Sequence, residues 1–328
     1  MCYSFCMIDW KEFARFIAPD CPRCDFIVSY LEKRGVHAVV LPIEDKKHIY
    51  VVFPKECYNP AFTIKTVVAH YDRFEGSPGA NDNSSSVFAL MDWAVRLQRS
   101  GRAHNVRLIF TDGEEMCGSS GAAGGKGEAV AIGATVASGA PAASSGAATV
   151  SAQGAFGLAS VFRRLGITDD DVFVFDCVGR GTIPVLGRST LGKGISTRFK
   201  KRFAALQART EQVLRAASGG VFVNLPVSYS DNAGFLACGI PAVAVTLLPA
   251  DEAHKYMFDL VQVPVLEAFV MNRPVPDCFD RAKLAAMLPD TWRRFHTVND
   301  DIASLSEESF ALMERILHGL AELRTYSA

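Results

Sequence analysis

Short apolar runs alternate with longer segments of helical spacing along most of the chain, and this alternation predicts its secondary structure. Runs that are rich in Val, Ile and Phe and end at polar residues are typical of buried strands. We predict strands over residues 36–41, 48–53, 64–69, 105–111, 172–175, 183–186, 221–224 and 242–247. We predict helices over residues 9–17, 25–34, 84–99, 193–218 and 306–323. This succession indicates an α/β fold whose mostly parallel or mixed sheet is covered by helices.

Two segments do not follow this pattern. Residues from about 118 to 160 are mostly Ala, Gly and Ser, with Phe156 as the one aromatic residue. Such a segment has too few large side chains for a core of its own, so we predict a flexible surface insertion. A lid, or a set of close-packed small-residue turns and helices beside the functional site, is the less favoured alternative. Residues from about 250 to 290 form a longer insertion of mixed character, and we predict one domain over residues 1–328.

Composition and charge favour a globular protein without a nucleic-acid or membrane partner. Apolar residues make up 49% of the chain and charged residues 21%, and the formal net charge is −1. That balance gives no electrostatic reason to expect binding to nucleic acid or to an acidic membrane. The chain also lacks an apolar run of the roughly 18 residues that cross a bilayer. Residues 1–10 lack a basic leader and meet charged residues at once, which argues against a signal peptide.

The cysteines favour a reducing compartment. Nine of them, an odd number, are scattered along the chain, which is not typical of a disulfide framework. We therefore expect a cytoplasmic protein. Cys21 and Cys24 form a Cys-x-x-Cys pair with Cys2 and Cys6 upstream, but the spacing is irregular and no second pair follows. A structural zinc site or a redox pair is for this reason the less favoured interpretation.

Acidic residues and histidines recur where predicted strands end or where glycine-containing turns follow. Asp72 comes two residues after His70 and can orient its imidazole. Two imidazoles and three carboxylates can hold two divalent ions such as zinc if one carboxylate bridges the pair, and Asp82 suits the bridge. One acidic residue remains, and a two-metal hydrolase needs a free carboxylate as its base. The set consists of His70, Asp82, Glu114, Glu115, Asp176 and His296.

Six short motifs occur in an order that resembles the zinc exopeptidases of metallopeptidase family 28. They are AHYD, PGANDN, FTDGEE, VFDCVG, SDNAGF followed by GIPA, and FHTVND. The resemblance extends from about residue 26 to residue 323 and covers the bacterial leucyl aminopeptidases, with glutaminyl cyclase-like relatives. It implies a three-layer α/β/α sandwich around a mixed, mostly parallel sheet. It also implies two zinc ions and a peptide substrate with a free N-terminus, from which the N-terminal residue is hydrolysed.

The resemblance also implies a role for each residue of the set. His70 and Asp176 would bind one zinc ion and Glu115 and His296 the other, with Asp82 as the bridge. Glu114 would be the general acid and base, and Asp72 would orient His70. A cis peptide bond is expected at Asp82–Asn83. The resemblance thus implies Glu114 and Asp72 as the catalytic residues. The implied metal ligands are His70, Asp82, Glu115, Asp176 and His296.

Substrate contacts are less well defined. Many relatives have His where this chain has Asn232, after the Ser-Asp pair. Tyr229 and Ser228 are candidates to contact the substrate carbonyl oxygen. Asp231 is a further candidate, although a structural role is the favoured interpretation for it.

Two alternative functions remain open on the same fold. One is a glutaminyl cyclase-like aminoacyltransferase that uses a single zinc ion, against which the presence of His70 and of Asn83 after Asp82 argues. The other is a catalytically silent binding protein, against which the intact Glu114 and the full ligand set argue. Carboxypeptidase or dipeptidase activity, the preferred N-terminal residue and the oligomeric state are left undetermined by the sequence.

Overall fold

The computed structural model describes residues 8–115, 153–192 and 194–326. The strands are β1 (His37–Ile43), β2 (Lys46–Val52), β3 (Lys65–His70), β4 (Val106–Thr111), β5 (Asp171–Phe175), β6 (Ile183–Gly187), β7 (Val223–Leu225) and β8 (Ala242–Leu248). The described helices, numbered in order, are α1 (Trp10–Phe16), α2 (Arg23–Glu32), α3 (Ser86–Ser100), α4 (Gly154–Arg164), α5 (Thr197–Ala217), α6 (Asn232–Ala237), α7 (Ala250–Gln262), α8 (Val265–Val270), α9 (Arg281–Ala286), α10 (Asp290–Arg293) and α11 (Glu307–Glu322).

All eight strands form one mixed sheet in the order β1-β2-β4-β3-β5-β8-β6-β7. The four central strands β4, β3, β5 and β8 are parallel to one another, while β2 pairs antiparallel with β4 and β6 antiparallel with β8. In the register of β3 and β4, His70 lies opposite Thr111. The carboxyl ends of the central strands therefore meet at one edge of the sheet.

Helices cover both faces of this sheet, which confirms the predicted three-layer α/β/α architecture. Every residue of the central strands β3, β5 and β8 is buried, and a strand can be buried on both sides only if both faces are covered. Helix α3 packs against α2, α11, β3 and β4, and α11 also packs against α5. Helix α4 packs against α6 and β1. None of the described helices is long and apolar enough to cross a membrane.

The predicted strands and helices are confirmed to within a few residues at their ends, but several helices were not predicted. Residues 153–160 of the first predicted insertion belong largely to α4, and residues 118–152 lie outside the described ranges. The second predicted insertion folds as α7, α8 and α9. These helices share a small second core with β6, β7 and β8. Its buried members include Val185, Leu225, Leu248, Tyr256, Leu266, Val270 and Leu284.

Candidate metal centre and cavity

The candidate site lies at the carboxyl ends of the central parallel strands. His70 is the last residue of β3 and is fully buried. Asp176 directly follows β5, and Glu114 and Glu115 follow β4 after a short turn. Adjacent parallel strands end side by side, so residues that are far apart in sequence reach the same place. The fold thus explains why each candidate follows an apolar run.

The bridging turn, residues 80–85, connects β3 to α3 and carries Asp82. Gly79 precedes it with a φ of 62°, and a β-carbon there would lie 2.7 Å from the carbonyl oxygen of Asp82. The predicted cis peptide bond at Asp82–Asn83 is confirmed. The Asp300 carboxylate accepts hydrogen bonds from the N–H groups of Asn81 (2.8 Å) and Asp82 (3.0 Å). The turn is therefore held by a carboxylate from the far end of the chain.

The loop after β5 holds the bridging turn from its other side. The Asn83 side-chain amide donates to the carbonyl oxygen of Phe175 (3.0 Å), and its Oδ1 accepts from the N–H of Cys177 (3.1 Å). The N–H of Gly179 donates to Asn81 Oδ1 (2.8 Å). Asn81 and Asn83 thus join the bridging turn to the loop after β5.

Arg23 of α2 joins two further segments of the site. Its guanidinium donates hydrogen bonds to the carbonyl oxygens of Tyr71 (2.8 Å), Asp72 (3.1 Å) and Pro78 (3.3 Å), and to Ser84 Oγ (2.8 Å). The side chain is buried, and burial lowers the pKa of Arg23 to about 10, so it remains charged at neutral pH. Arg23 therefore ties the end of β3 to the bridging turn.

The first cluster forms around His70. Its Nε2 lies 3.4 Å from Asp82 Oδ1 and 3.5 Å from Asp176 Oδ1. Its Nδ1 lies 3.5 Å from Asp72 Oδ1, on the opposite side of the ring. The Nε2 atom thus faces two carboxylates, while Asp72 lies beside the other nitrogen, where it can fix the orientation of the ring.

The second cluster forms around His296. Its Nε2 lies 2.9 Å from Glu115 Oε2 and 3.7 Å from Asp82 Oδ2. The imidazole stacks on the ring of Phe74, with centroids 4.5 Å apart and an interplanar angle of 11°. His296 is about half exposed, and its hydrogen bond to Glu115 raises its pKa above the ordinary value. This cluster is more open to solvent than the first.

Asp82 belongs to both clusters, because its Oδ1 faces His70 and its Oδ2 faces His296. Within each cluster one candidate ligand atom per residue lies within 4.8 Å of the others. Both nitrogens of His70 and Glu115 Oε1 are buried without a hydrogen-bond partner in the described residues. Buried polar atoms normally have partners, and imidazole with carboxylate is a donor set that suits zinc. The residues present therefore fit the expected metal.

Asp72 also positions the two neighbouring glutamates. Its carboxylate accepts hydrogen bonds from the N–H groups of Glu114 (3.3 Å) and Glu115 (2.9 Å). The Glu115 side chain faces His296, whereas Glu114 lines a cavity. Glu114 also forms a third candidate metal-binding group, with His70 and Glu115. The two adjacent glutamates occupy different places, as the prediction of different roles requires.

Electrostatic conditions at the site favour a bound cation. Removal from water and the neighbouring Glu115 together raise the pKa of Asp82 to about 7. The pKa of Glu114 is also raised well above its ordinary value, by removal from water and by the neighbouring Glu115 and Asp176. Divalent ions would neutralise this concentration of carboxylates and return the ligands to their ionised forms.

A cavity of about 530 Å³ opens beside the clusters, a size typical of small-ligand sites. Ser228 and Tyr229 line it, which is compatible with the substrate contacts predicted for them. The Tyr229 hydroxyl accepts a hydrogen bond from the N–H of Thr190 (3.3 Å). Asp231, in contrast, is fully buried, is not among the lining residues and accepts a hydrogen bond from Thr111. Its position agrees with the structural role that the sequence favoured over a substrate contact.

The sequence reasoning missed two residues that shape the site and left one cysteine pair undecided. Asp300 ends the FHTVND motif, so its position four residues after the proposed ligand His296 was an available signal. Arg23 had no such signal, because it lies outside the six motifs, between Cys21 and Cys24. No cysteine belongs to a candidate metal group among the described residues, which include Cys21 and Cys24. Cys2 and Cys6 lie outside the described ranges.

A family model matches most of the chain. The family model described as Peptidase family M28 matches residues 59–321. A sequence comparison with curated proteins finds no match. Arg23 and the strands β1 and β2 precede the matched residues.

Several solved structures share the fold at low sequence identity. The LapA aminopeptidase of Legionella pneumophila is 12% identical, with a TM-score of 0.58, over 95% of this chain and 69% of that chain. A Zn-dependent exopeptidase from Parabacteroides distasonis is 13% identical, with a TM-score of 0.56, over 96% and 97%. The glutaminyl cyclase of Porphyromonas gingivalis is 16% identical, with a TM-score of 0.56, over 95% and 96%. At these identities the similarity shows the fold alone.

Proposed function

The chain belongs to peptidase family M28, and we propose that it is a zinc-dependent exopeptidase, specifically an aminopeptidase acting on peptides with a free N-terminus. The observation that carries this proposal is the position of Asp82, whose two carboxylate oxygens face two different histidine and carboxylate clusters. Such an arrangement suits a pair of ions that share one bridging ligand.

The ligands would be divided as the sequence suggests. His70 and Asp176 would hold one zinc ion, Glu115 and His296 the other, and Asp82 would contact both. When bound, the ions would supply Lewis acidity toward the scissile carbonyl group and toward water. The half-buried second cluster would be the one closer to solvent.

The chain's own groups would move the protons. Glu114 lines the cavity and is not needed as a ligand in this division, so it would accept the proton of the attacking water. It would then return that proton to the departing amine nitrogen. Asp72 would act through its hydrogen bonds to the Glu114 and Glu115 backbone, which fix both side chains. The apolar part of the cavity would receive the first side chain of the peptide.

The compartment is proposed from the cysteines. No disulfide joins the cysteines that the structure describes, which are Cys21, Cys24, Cys57, Cys177, Cys238 and Cys278. Free thiols in this number fit a reducing compartment such as the cytoplasm.

Hydrolysis of aminoacyl amides tests the proposed activity. Zinc-loaded protein is given a panel of amides with free amines, beside their N-acetylated counterparts. We expect cleavage of the free amines alone, with loss of cleavage on chelation. Glu114→Gln should lower kcat by about 100-fold or more while zinc content is unchanged, because the base is lost and the ligands remain. Wild-type turnover in a zinc-loaded Glu114→Gln protein would exclude Glu114 as the base.

A glutaminyl cyclase is the second candidate, because such an enzyme is among the proteins that share the fold. It predicts release of ammonia from N-terminal glutaminyl peptides and one zinc ion per chain. The aminopeptidase proposal predicts two. Zinc content of the purified protein, measured together with both reactions, distinguishes the two candidates. Zinc binding without either reaction would favour a silent binding protein.

A further inference from the structure

The lining of the cavity carries opposite charges at two places. Its acidic residues, Asp82, Glu114 and Asp176, belong to the candidate metal centre. Arg281 is the one Lys or Arg among the described lining residues. Much of the remaining wall is apolar, with Phe269 close to Arg281. A substrate with a negative charge distant from the metals would thus meet a positive charge.

The guanidinium of Arg281 is available for such a contact. Asp280, its neighbour, caps the start of α9 by accepting hydrogen bonds from the N–H groups of Ala282 (2.9 Å) and Lys283 (3.3 Å). The Arg281 guanidinium lies 5.2 Å from the centroid of the Phe269 ring. Within the described residues it has neither an ion pair nor a hydrogen bond. It stacks on an aromatic ring while its donors remain free.

The wall that carries Arg281 is anchored. Leu284 of the same helix is 3% exposed and belongs to the second core with Tyr256, Leu266 and Val270. The Tyr256 hydroxyl in turn donates a hydrogen bond to the Pro226 carbonyl oxygen (2.9 Å). A charge on a packed helix is placed more precisely than one on a free loop.

We propose that Arg281 binds a carboxylate group of the substrate, so that the preferred substrates are short peptides that carry a negative charge away from the scissile bond. The proposal rests on the proposed peptidase function and defines its substrate class. A guanidinium can make two parallel hydrogen bonds to one carboxylate. The carboxylate can be the C-terminus of a dipeptide or an acidic side chain, and the experiment distinguishes these two sources.

Two matched substrate pairs test the proposal with the zinc-loaded full chain. Leucyl-leucine is compared with leucyl-leucinamide, which lacks only the C-terminal carboxylate. Glutamic acid α-amide is compared with glutamine α-amide, which differs in side-chain charge. We expect kcat/KM to be about tenfold higher for the acidic member of one pair, mainly through KM. The pair that shows the preference identifies the source of the carboxylate.

Two variants assign the preference to a residue. Arg281→Gln should equalise kcat/KM within the pair that wild-type protein discriminates. Lys283→Gln is the matched control, because Lys283 lies on the same helix but is not among the residues that line the cavity. It should keep the wild-type ratio. No preference in either wild-type pair, or a preference that survives in Arg281→Gln, overturns the proposal.

Binding separates this proposal from the proposed function. If neither pair is cleaved, calorimetric titration of the zinc-loaded protein with both pairs gives the affinities directly. Tighter binding of the acidic member that is lost in Arg281→Gln would support the carboxylate site while refuting the peptidase. Equal affinities within both pairs would overturn the carboxylate site.

Discussion

Replacement of Arg23 by Met tests whether the site depends on a residue outside the segment that matches the family. The methionine is similar in length and apolar, so it fills much of the same volume without the charge. It removes all four hydrogen bonds that join the end of β3 to the bridging turn. The stacking of the guanidinium over the Phe16 ring, at 4.5 Å, is also lost.

The magnitude follows from the groups left behind. Three carbonyl oxygens lose a donor, of which that of Tyr71 is buried and those of Asp72 and Pro78 are part-buried. A buried acceptor without a partner costs about 1–3 kcal/mol, and a part-buried one costs less. Ser84 Oγ still donates to the carbonyl oxygen of Gly79, so its hydroxyl contributes little. Removal of a buried charge recovers part of the desolvation cost, and the separate losses are not additive. We therefore expect the free energy of unfolding to fall by about 3–5 kcal/mol.

Denaturant unfolding of the metal-free protein measures this loss without a contribution from zinc. Arg15→Met is the control, because Arg15 lies on α1, is 62% exposed and pairs with Glu12 at the surface. Its expected loss is below about 1 kcal/mol. Competition with a chelating dye should also show zinc affinity weakened about 10-fold or more in Arg23→Met. Equal stability and equal zinc affinity in the two variants would refute the reasoning.

Two further predictions concern the metal centre and acid stability. Asp300→Ala leaves two amide groups of the bridging turn without acceptors, so zinc affinity measured by dye competition should fall about 10- to 100-fold, while Asp301→Ala should not change it. Burial lowers the pKa of His48 and of His104 from 6.5 to about 4, so the unfolded chain binds protons that the folded chain does not. Their stabilising contribution is present above pH 6.5 and falls toward pH 4, by up to about 3 kcal/mol each. The stability advantage of wild-type protein over the His48→Gln, His104→Gln double variant should thus shrink on acidification, and a pH-independent difference would contradict this.

The sequence was sufficient to predict the central sheet but not the helices that are rich in small residues. Strands such as β3 and β5 are apolar runs that end at polar residues, and these signals are local. Helix α4 falls in a segment for which helices packed through small residues were only the less favoured alternative, because its alanines and glycines resemble a loop. A β-carbon on Gly154 would lie 1.7 Å from the carbonyl oxygen of Asp112, and one on Gly234 of α6 would lie 2.6 Å from the N atom of Phe156. Small residues are needed there for close packing, which a composition argument cannot recognise.

The candidate site was also only partly predictable. The ligand candidates directly follow strands or stand in ordered motifs, so their grouping could be inferred. The cavity wall could not, because residues from α8, α9 and α10 reach it only through the second core. Arg23 acts through carbonyl oxygens, and backbone acceptors leave no mark on the sequence. Such contacts can be identified only in the folded structure.

The bridging turn donates hydrogen bonds to the Asp300 carboxylate and accepts them from N–H groups of the loop after β5, so protein groups hold it from both sides. The polypeptide itself therefore sets the shape of the turn around Asp82. Loss of an ion would leave this shape in place, because the backbone around Asp82 keeps its hydrogen-bond partners within the chain. We therefore expect the metal-free protein to remain folded around Asp82 and to bind zinc without a folding step.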